Sequence, residues 1–254
     1  MPRRSVSPLF LSVDRSLLTI FQAIRQAVQM KVHVISMSWT ISVPSADEKL
    51  SPEDQAAMAD LESAITDAST KNILMFCSAS DEGAVQSSTY PSKHAKRIFT
   101  IGAADASGVV SKAVGDINAV DFILPGKLVE DETDGAVKNI QYWTGSSVAT
   151  ALAAGLAALI LYCGQIRIAR AAAGSKKSKA VQHFERLKTY DGMMEAFRNI
   201  GTTAASKNKY LTVWDVFGKK AAEHSSLSRG YGYDEEKKPI DLAADVAAML
   251  CARF

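Results

Sequence analysis

The sequence predicts an α/β fold in which helices flank a parallel sheet, followed by a helical C-terminal tail. First, short apolar runs alternate with segments of helical periodicity between residues 16 and 165, a pattern typical of parallel sheets covered by helices. Second, the pattern changes after Cys163 to short amphipathic segments separated by polar stretches. Third, the 254 residues are 47% hydrophobic and 22% charged, which suffices for one substantial core.

The first part of the chain contains two predicted helices with a strand between them. Apolar residues spaced by three and four predict a helix over Ser16–Met30, and Val32–Met37 then predicts a buried strand. A second helix begins at Ser51, because an N-cap serine, Pro52 at the first helical position and acids in the first turn are favoured at helix starts. We expect this helix to end near Thr70.

Three further strands are predicted, at residues 73–77, 98–103 and 122–124. Ligands of open parallel sheets bind beyond the carboxyl ends of the strands. The segments Ser38–Thr40 and Ser78–Gly83 each follow a predicted strand directly. We therefore expect binding residues in both segments.

The C-terminal part is predicted to be helical after an initial loop. Residues 169–179 are rich in Ala, Ser and Lys and predict a loop. Amphipathic periodicity predicts three helices, over 190–200, 211–222 and 241–252. We divide the chain into a core at 1–165 and a helical extension at 166–254 that packs on this core, because each of these helices is short and has one apolar face.

The segment from Gly145 to Gly155 carries the strongest functional signal. Ser147 opens a long run of small and apolar residues, which predicts a serine at the start of a helix over roughly residues 147–163. Negative charge that develops near a helix start is favoured, since the first backbone N–H groups are unpaired and the helix dipole is positive there. Taken alone, the segment fits a catalytic serine and a buried Ala-rich helix with a serine N-cap equally well.

The order of motifs decides between these readings. Gly145, Ser147, Ala149 and Gly155 match the nucleophile segment Gly-Thr-Ser-x-Ala-x-Pro of the subtilisin-like serine peptidases, although Ser146 takes the Thr place and Ala151 the Pro place. Four upstream segments resemble further family motifs in the same order, namely 34–39, 73–83, Tyr90-Pro91 with 98–105, and 121–126. The chain thus resembles the C-terminal two-thirds of a subtilisin-like domain, of the intracellular fungal type, that lacks its first strands and a helix.

The resemblance implies roles for eight residues. Ser147 would be the nucleophile, and Asp81 would occupy the oxyanion position, where an Asn-x-Gly turn is usual and the related sedolisin group uses Asp. Two segments would pair with an extended peptide or protein substrate as added strands. These substrate-binding residues are Ser38, Trp39 and Thr40 in the first segment, and Ser78, Ala79 and Ser80 in the second. Trp39 fits a pocket wall and a core residue equally well.

The Asp and His that activate the serine in this family have no counterpart in the sequence. They would lie upstream of the first helix, where about fifteen residues contain no His-Gly-Thr-like motif, and Asp14 has no matching context. The four histidines, at 33, 94, 183 and 224, also lie in unrelated contexts. Two hypotheses follow. The chain is a peptidase whose Asp and His come from a longer form or a separate chain, or it is a degenerate domain that binds peptides or a partner.

Several other classes are not expected. The net charge of +2 does not indicate nucleic acid, and no continuous apolar run reaches the ~20 residues that span a bilayer. No signal peptide is recognised, and Cys77, Cys163 and Cys251 are predicted to be core thiols in a cytoplasmic protein. We expect no cofactor and no metal. A strand left at the sheet edge by the truncation should cause self-association or require a partner.

Overall fold

The computed structural model describes residues 17–42, 51–83, 89–92, 97–127, 129–131, 141–171, 174–218 and 239–252. The strands in these ranges are β1 (Val34–Met37), β2 (Ile41–Ser42), β3 (Leu74–Ser78), β4 (Thr89–Tyr90), β5 (Ile98–Ala104), β6 (Phe122–Pro125), β7 (Val129–Asp131), β8 (Gln141–Trp143), β9 (Thr202–Thr203) and β10 (Tyr210–Leu211). The helices are α1 (Leu17–Gln29), α2 (Pro52–Thr70), α3 (Ser146–Arg170), α4 (Ser175–Leu187), α5 (Tyr190–Ile200), α6 (residues 213–218) and α7 (Pro239–Leu250).

The main sheet has six strands in the order β1-β3-β5-β6-β10-β9. The first five are parallel to their neighbours, and only β9 runs antiparallel to the strand beside it. Two small antiparallel pairs, β2 with β4 and β7 with β8, lie outside this sheet. The predicted fold class, a mostly parallel sheet flanked by helices, is confirmed. The tail supplies two strands of this sheet, which the sequence did not indicate.

The sheet separates two hydrophobic clusters. Side chains alternate along β3, so that Leu74 and Phe76 enter one cluster while Met75 and Cys77 enter the other. The larger cluster lies between the sheet and α3, α5 and α7, and the smaller one lies against α1 and α2. Phe197 of α5 lies 6.0 Å from the Phe76 ring, measured between centroids. The C-terminal helices therefore share the core of the first part of the chain.

Two predictions for the tail are wrong in detail. The predicted loop at 169–179 contains the end of α3, at Arg170, and the start of α4, at Ser175. Helix α4 buries only Ala180 and Leu187, and its first turns are rich in lysine. The apolar periodicity that predicts a helix is therefore weak in this segment. The predicted helix at 211–222 begins later than expected, because Leu211 pairs in the sheet as part of β10; its residues from 219 to 222 lie outside the described ranges.

Helix α3 runs through the centre of the molecule and crosses the boundary that we placed between residues 165 and 166. Among the described residues it is the one helix that is long and apolar enough to span a bilayer by length and composition. More than half of its most apolar stretch is buried inside the protein. It packs on β1, β3, β5 and β6 and on α4 and α7, so its apolar character is that of a core helix.

Candidate active site

Ser147 is the second residue of α3, as the sequence predicts, although the helix extends to Arg170. The N-cap residue is Gly145, whose φ of +140° disfavours any residue with a Cβ. Its N–H donates to the carbonyl of Gly126 at 2.7 Å. A Cβ on Gly126 would lie 2.8 Å from the Gly145 oxygen, so two glycines allow the β6 end and the α3 start to meet.

Asp81 contacts the residue before the candidate nucleophile. One carboxylate oxygen accepts the backbone N–H of Ser146 at 2.7 Å, and the other accepts the Ser146 hydroxyl at 2.7 Å. Ser146 is fully buried, whereas Asp81 is exposed. The predicted oxyanion residue therefore faces the start of α3, as the motif spacing implies, and its carboxylate accepts two hydrogen bonds there.

Ser38 and Ser147 form a reciprocal contact. The Ser38 hydroxyl donates to the Ser147 carbonyl at 3.2 Å, and the Ser147 hydroxyl donates to the Ser38 carbonyl at 3.5 Å. The second bond is at the upper limit for a hydrogen bond between oxygens. The carboxyl end of β1 and the first turn of α3 are joined in this way, and Ser147 itself is exposed.

The other predicted substrate residues lie on either side of this contact. Trp39 is half-buried and packs against the smaller hydrophobic cluster, which agrees with a core role, while Thr40 is exposed. On the second segment, Ser78 and Ala79 are buried, and the Ala79 N–H donates to the Ile101 carbonyl at 2.8 Å. Their substrate-binding role stays a prediction, and it would involve backbone groups on the open side of each segment.

Ser80 differs from its neighbours in its hydrogen bonding. Its hydroxyl oxygen is buried and has no hydrogen-bond partner among the described residues. Buried hydroxyls are usually paired with protein atoms or with water, and the described protein atoms supply no such pair for Ser80.

Within the described residues, no acid or histidine side chain hydrogen-bonds to Ser147. His33 lies just before β1 rather than inside the strand, and it is exposed. His183 hydrogen-bonds to Arg167 at 2.9 Å, and that arginine is twenty residues further along α3, about 30 Å away at ~1.5 Å per residue. Asp14, His94 and His224 lie outside the described residues.

The cysteines do not provide an alternative nucleophile. All three are unpaired and buried, as predicted for core thiols. Burial raises the pKa of Cys77 to about 12 and that of Cys251 to about 11, and it also raises the pKa of Cys163. The reactive thiolate is therefore suppressed at neutral pH. The described ranges also contain no cluster of three or more His, Cys, Asp or Glu side chains placed to hold a metal ion.

The role of Ser146 is not predicted by the sequence analysis. It was matched only as a substitute for the family's Thr, yet its amide and hydroxyl are what Asp81 binds. A usable signal was present, because an N-cap glycine has no side chain to satisfy the first N–H groups of a helix. A buried helix that begins after Gly145 therefore requires an acceptor from elsewhere in the chain.

Comparisons with known proteins agree with this fold. A model of the subtilase family of peptidases matches residues 7–172. No curated protein matches the chain. Among solved structures, the chain is similar to the epidermin leader peptide processing serine protease EpiP from Staphylococcus aureus, with 19% identity, a TM-score of 0.57, and coverage of 81% of this chain and 55% of that one.

Two further solved structures share the fold. The patellamide maturation protease PatA is 18% identical with a TM-score of 0.55, and the alignment covers 80% of this chain and 69% of that one. The prenylagaramide maturation protease PagA is 20% identical with a TM-score of 0.54, at 81% and 68% coverage. The chain thus spans between 55% and 69% of the length of these three proteases. The family match covers well over half of the chain, and the chain belongs to the subtilase family of serine proteases.

Proposed function

We propose that this chain is the nucleophile-bearing part of a subtilisin-like serine endopeptidase, and that it does not hydrolyse peptides until a histidine and an aspartate reach Ser147. One observation carries the proposal. The Ser147 hydroxyl is exposed at the start of α3, and among the described residues it donates only to the Ser38 carbonyl, at 3.5 Å. Ser147 would be the nucleophile, and among the described residues no acid or histidine side chain hydrogen-bonds to it to activate it.

The chemistry explains why this contact does not activate the serine. Attack on a peptide carbonyl requires the hydroxyl proton to pass to a base, and a third group must orient that base. A backbone carbonyl orients the hydroxyl but does not take its proton at neutral pH. Ser147 therefore keeps the weak nucleophilicity of an ordinary serine in the isolated chain.

The missing groups would come from a longer form of the protein or from a separate chain. Two observations support this origin. Strand β1, which leads into Ser38, pairs on one side only among the described strands, with β3. The proteases with the same fold are also longer than this chain, which covers between 55% and 69% of them. A further strand beside β1 would approach the Ser38–Ser147 contact.

The substrate would be an extended peptide or protein segment. Backbone pairing with two antiparallel or parallel segments is a common way to hold such a substrate, and the segments that end at Thr40 and Ser80 are the candidates. Both segments are continuous with strands of the main sheet, so little ordering is required on binding.

A second candidate is a domain that binds peptides or a partner without cleaving them. Asp81 supports it, because a carboxylate that accepts hydrogen bonds with both oxygens does not stabilise an oxyanion. The two candidates differ in one respect that can be measured. Only the peptidase hypothesis requires that supply of the missing groups makes Ser147 reactive.

A fluorophosphonate probe separates these outcomes. The purified chain is incubated with the probe between about pH 4 and pH 9, alone and after co-expression with a subtilase fragment that carries the Asp and His motifs, with Ser147→Ala as the matched control. We expect no labelling of the isolated chain, since loss of the catalytic histidine alone reduces the turnover of a subtilisin by about 10⁶-fold. Labelling only with the fragment supports the peptidase, and its absence despite complex formation supports the binding domain.

Labelling of the isolated chain would overturn the proposal. If that labelling depends on Ser147, the chain contains a base of its own. His94 would be the first residue to test, by His94→Gln, because it lies in the segment after Tyr90-Pro91. Loss of labelling in this variant would identify the base.

A further inference from the structure

The strongest unexplained contact in the site joins Asp81 to Ser146. We propose that Asp81 is a positioning residue, which caps helix α3 from a distant loop and fixes the turn that carries Ser147. It acts through Ser146 and not on the reacting atoms. The inference rests on the proposed function only in taking Ser147 as the nucleophile, since the capping contact itself does not depend on catalysis.

The start of α3 requires such a partner. The first N–H groups of a helix have no acceptor within the helix, and a side chain at the N-cap usually supplies one. Here the N-cap is Gly145, which makes no side-chain bond, and Ser146 is fully buried and so has no access to water. The Asp81 carboxylate takes the place of an N-cap side chain and of water as the acceptor. It also places negative charge at the positive end of the helix dipole.

The loop that carries Asp81 is held on both sides of it. The Ala79 N–H donates to the Ile101 carbonyl of β5 at 2.8 Å, and the Gly83 N–H donates to the Ala113 carbonyl at 2.8 Å. Gly83 has a φ of +66°, which favours glycine at this turn. Because both anchors lie outside α3, the loop that carries Asp81 is held independently of its contact with Ser146.

The opposite side of the turn is held by Ser38. Its hydroxyl donates to the Ser147 carbonyl at 3.2 Å. The first turn of α3 is thus bound to the end of β3 through Asp81 and to the end of β1 through Ser38. These two attachments hold the backbone of the first turn of α3, which carries Ser147.

This role competes with the oxyanion role that the resemblance implies. An oxyanion is stabilised by donors, and both Asp81 oxygens are occupied as acceptors. An oxyanion donor acts only while negative charge develops on the substrate, whereas a cap holds the Ser146 amide in the resting chain as well. If Asp81 is a cap, its removal frees that amide, and part of the effect returns with Asn, whose side-chain oxygen still accepts one hydrogen bond.

Hydrogen exchange of the backbone amides measures this directly. We compare Asp81→Ala, Asp81→Asn, Ser146→Ala and the double variant Asp81→Ala/Ser146→Ala by NMR. We expect Asp81→Ala to speed exchange of the Ser146 amide by roughly 5- to 30-fold, the size of a typical N-cap contribution, with an intermediate value for Asn. The effects of the two single alanine variants should be non-additive, because Ser146→Ala removes the hydroxyl bond that Asp81→Ala also removes, while the amide bond is lost only with Asp81→Ala.

Asp116→Ala is the matched control. The Asp116 carboxylate caps a 3₁₀ helix by accepting the Asn118 N–H at 2.9 Å. The Asp116→Ala variant therefore loses the same kind of bond at another place in the chain, and exchange of the Ser146 amide should not change. Amides between Leu156 and Ile160 should also be unaffected by Asp81→Ala, since only the first turn opens. Should Asp81→Ala fail to fold, Asp81→Asn and Ser146→Ala still give the comparison.

Unchanged exchange at Ser146, or additive single effects, would overturn the inference. Uniformly faster exchange along α3 would also overturn it, because that result indicates a general loss of stability. These measurements use the isolated chain and need no activity. A failure of the proposed function, seen with the fluorophosphonate probe, is therefore distinguishable from a failure of the capping role.

Discussion

Helix α3 has two faces that differ in what covers them. One face packs on the sheet, where its residues are almost completely buried: Ala149, Ala153, Ala157 and Ile160. The other face also has large apolar side chains, yet Leu152, Leu159 and Tyr162 are 42%, 43% and 61% exposed. A helix that is apolar on all sides is normally covered on all sides. Among the described residues nothing covers this face, and apolar surface of this kind is a place to test for association.

The largest difference between the faces should appear in stability. Ile160 is fully buried against the sheet, and Ile160→Ala removes three methyl or methylene groups and leaves a cavity. We expect a loss of about 2–5 kcal/mol in the free energy of unfolding. Leu159→Ala, one residue away on the exposed face, should change it by less than about 0.5 kcal/mol. Urea unfolding of both variants measures the contrast, and equal losses would show that both faces are covered in solution.

A pair of glycine substitutions tests the same contrast through backbone contacts. Gly126 supports the buried start of α3, and a Cβ there would lie 2.7 Å from the Ala103 Cβ. We expect Gly126→Ala to destabilise by about 1–3 kcal/mol through overpacking. Gly155 lies within α3 with open space around it, and Gly155→Ala should stabilise by up to about 1 kcal/mol because alanine favours the helix. Thermal unfolding measures the sign of the stability change for both variants. If Gly155→Ala destabilises the protein, the space around Gly155 is not open in solution.

The sequence was sufficient for the parts of the fold whose signal is local. Helix α2 follows from Ser51 and Pro52 at its start, and the structure has the Ser51 hydroxyl accepting the Asp54 N–H. The buried strands follow from their apolar runs. Strands β9 and β10 were missed because each is two residues long, and because β10 pairs with β6 and β9 with β10 through contacts that no local pattern encodes.

The candidate site also has features that the sequence predicts and features that it does not. The position of Ser147 at a helix start follows from the small-residue run after it, and the proximity of Asp81 to that start follows from the order of the motifs. The partner of Asp81 could not be read from the sequence, because Ser146 and Asp81 are 65 residues apart and the contact depends on how the loop is anchored. The exposed face of α3 was also hidden, since composition does not specify which apolar residues find a partner.

The far end of α3 is covered by α4, and this contact should respond to pH. Arg167 donates to His183 Nδ1 at 2.9 Å, so His183 is neutral in the folded protein. Burial first, and then the Arg167 charge, lower the pKa of His183 below 6.5. The unfolded chain therefore binds more protons just below pH 6.5, and the free energy of unfolding should decrease as the pH falls through this range.

His183→Gln should remove that part of the pH dependence. The measurement is urea unfolding of wild type and variant at several pH values from about 5 to 8, with His33→Gln, which changes an exposed histidine before β1, as the control. We expect the difference between wild type and His183→Gln to vary with pH and the control to keep the wild-type slope. A parallel pH dependence in all three proteins would show that His183 is not held neutral by the fold.

The smallest effect on stability, and the clearest test of the uncovered face, should come from Leu159→Lys and Tyr162→Ser. Both side chains are exposed, so each change should alter the free energy of unfolding by no more than about 0.5 kcal/mol.

Apolar surface of this kind drives association, and we expect the wild-type chain to self-associate and to bind a hydrophobic dye. The two substitutions together should reduce both properties, as measured by sedimentation velocity and dye fluorescence. Val109→Lys is the matched control, because Val109 is a 62% exposed apolar residue that lies in a loop and not on α3. A wild-type chain that sediments as a monomer and binds no dye would show that this face has no partner of its own, and an equal effect of Val109→Lys would assign the association to general surface charge.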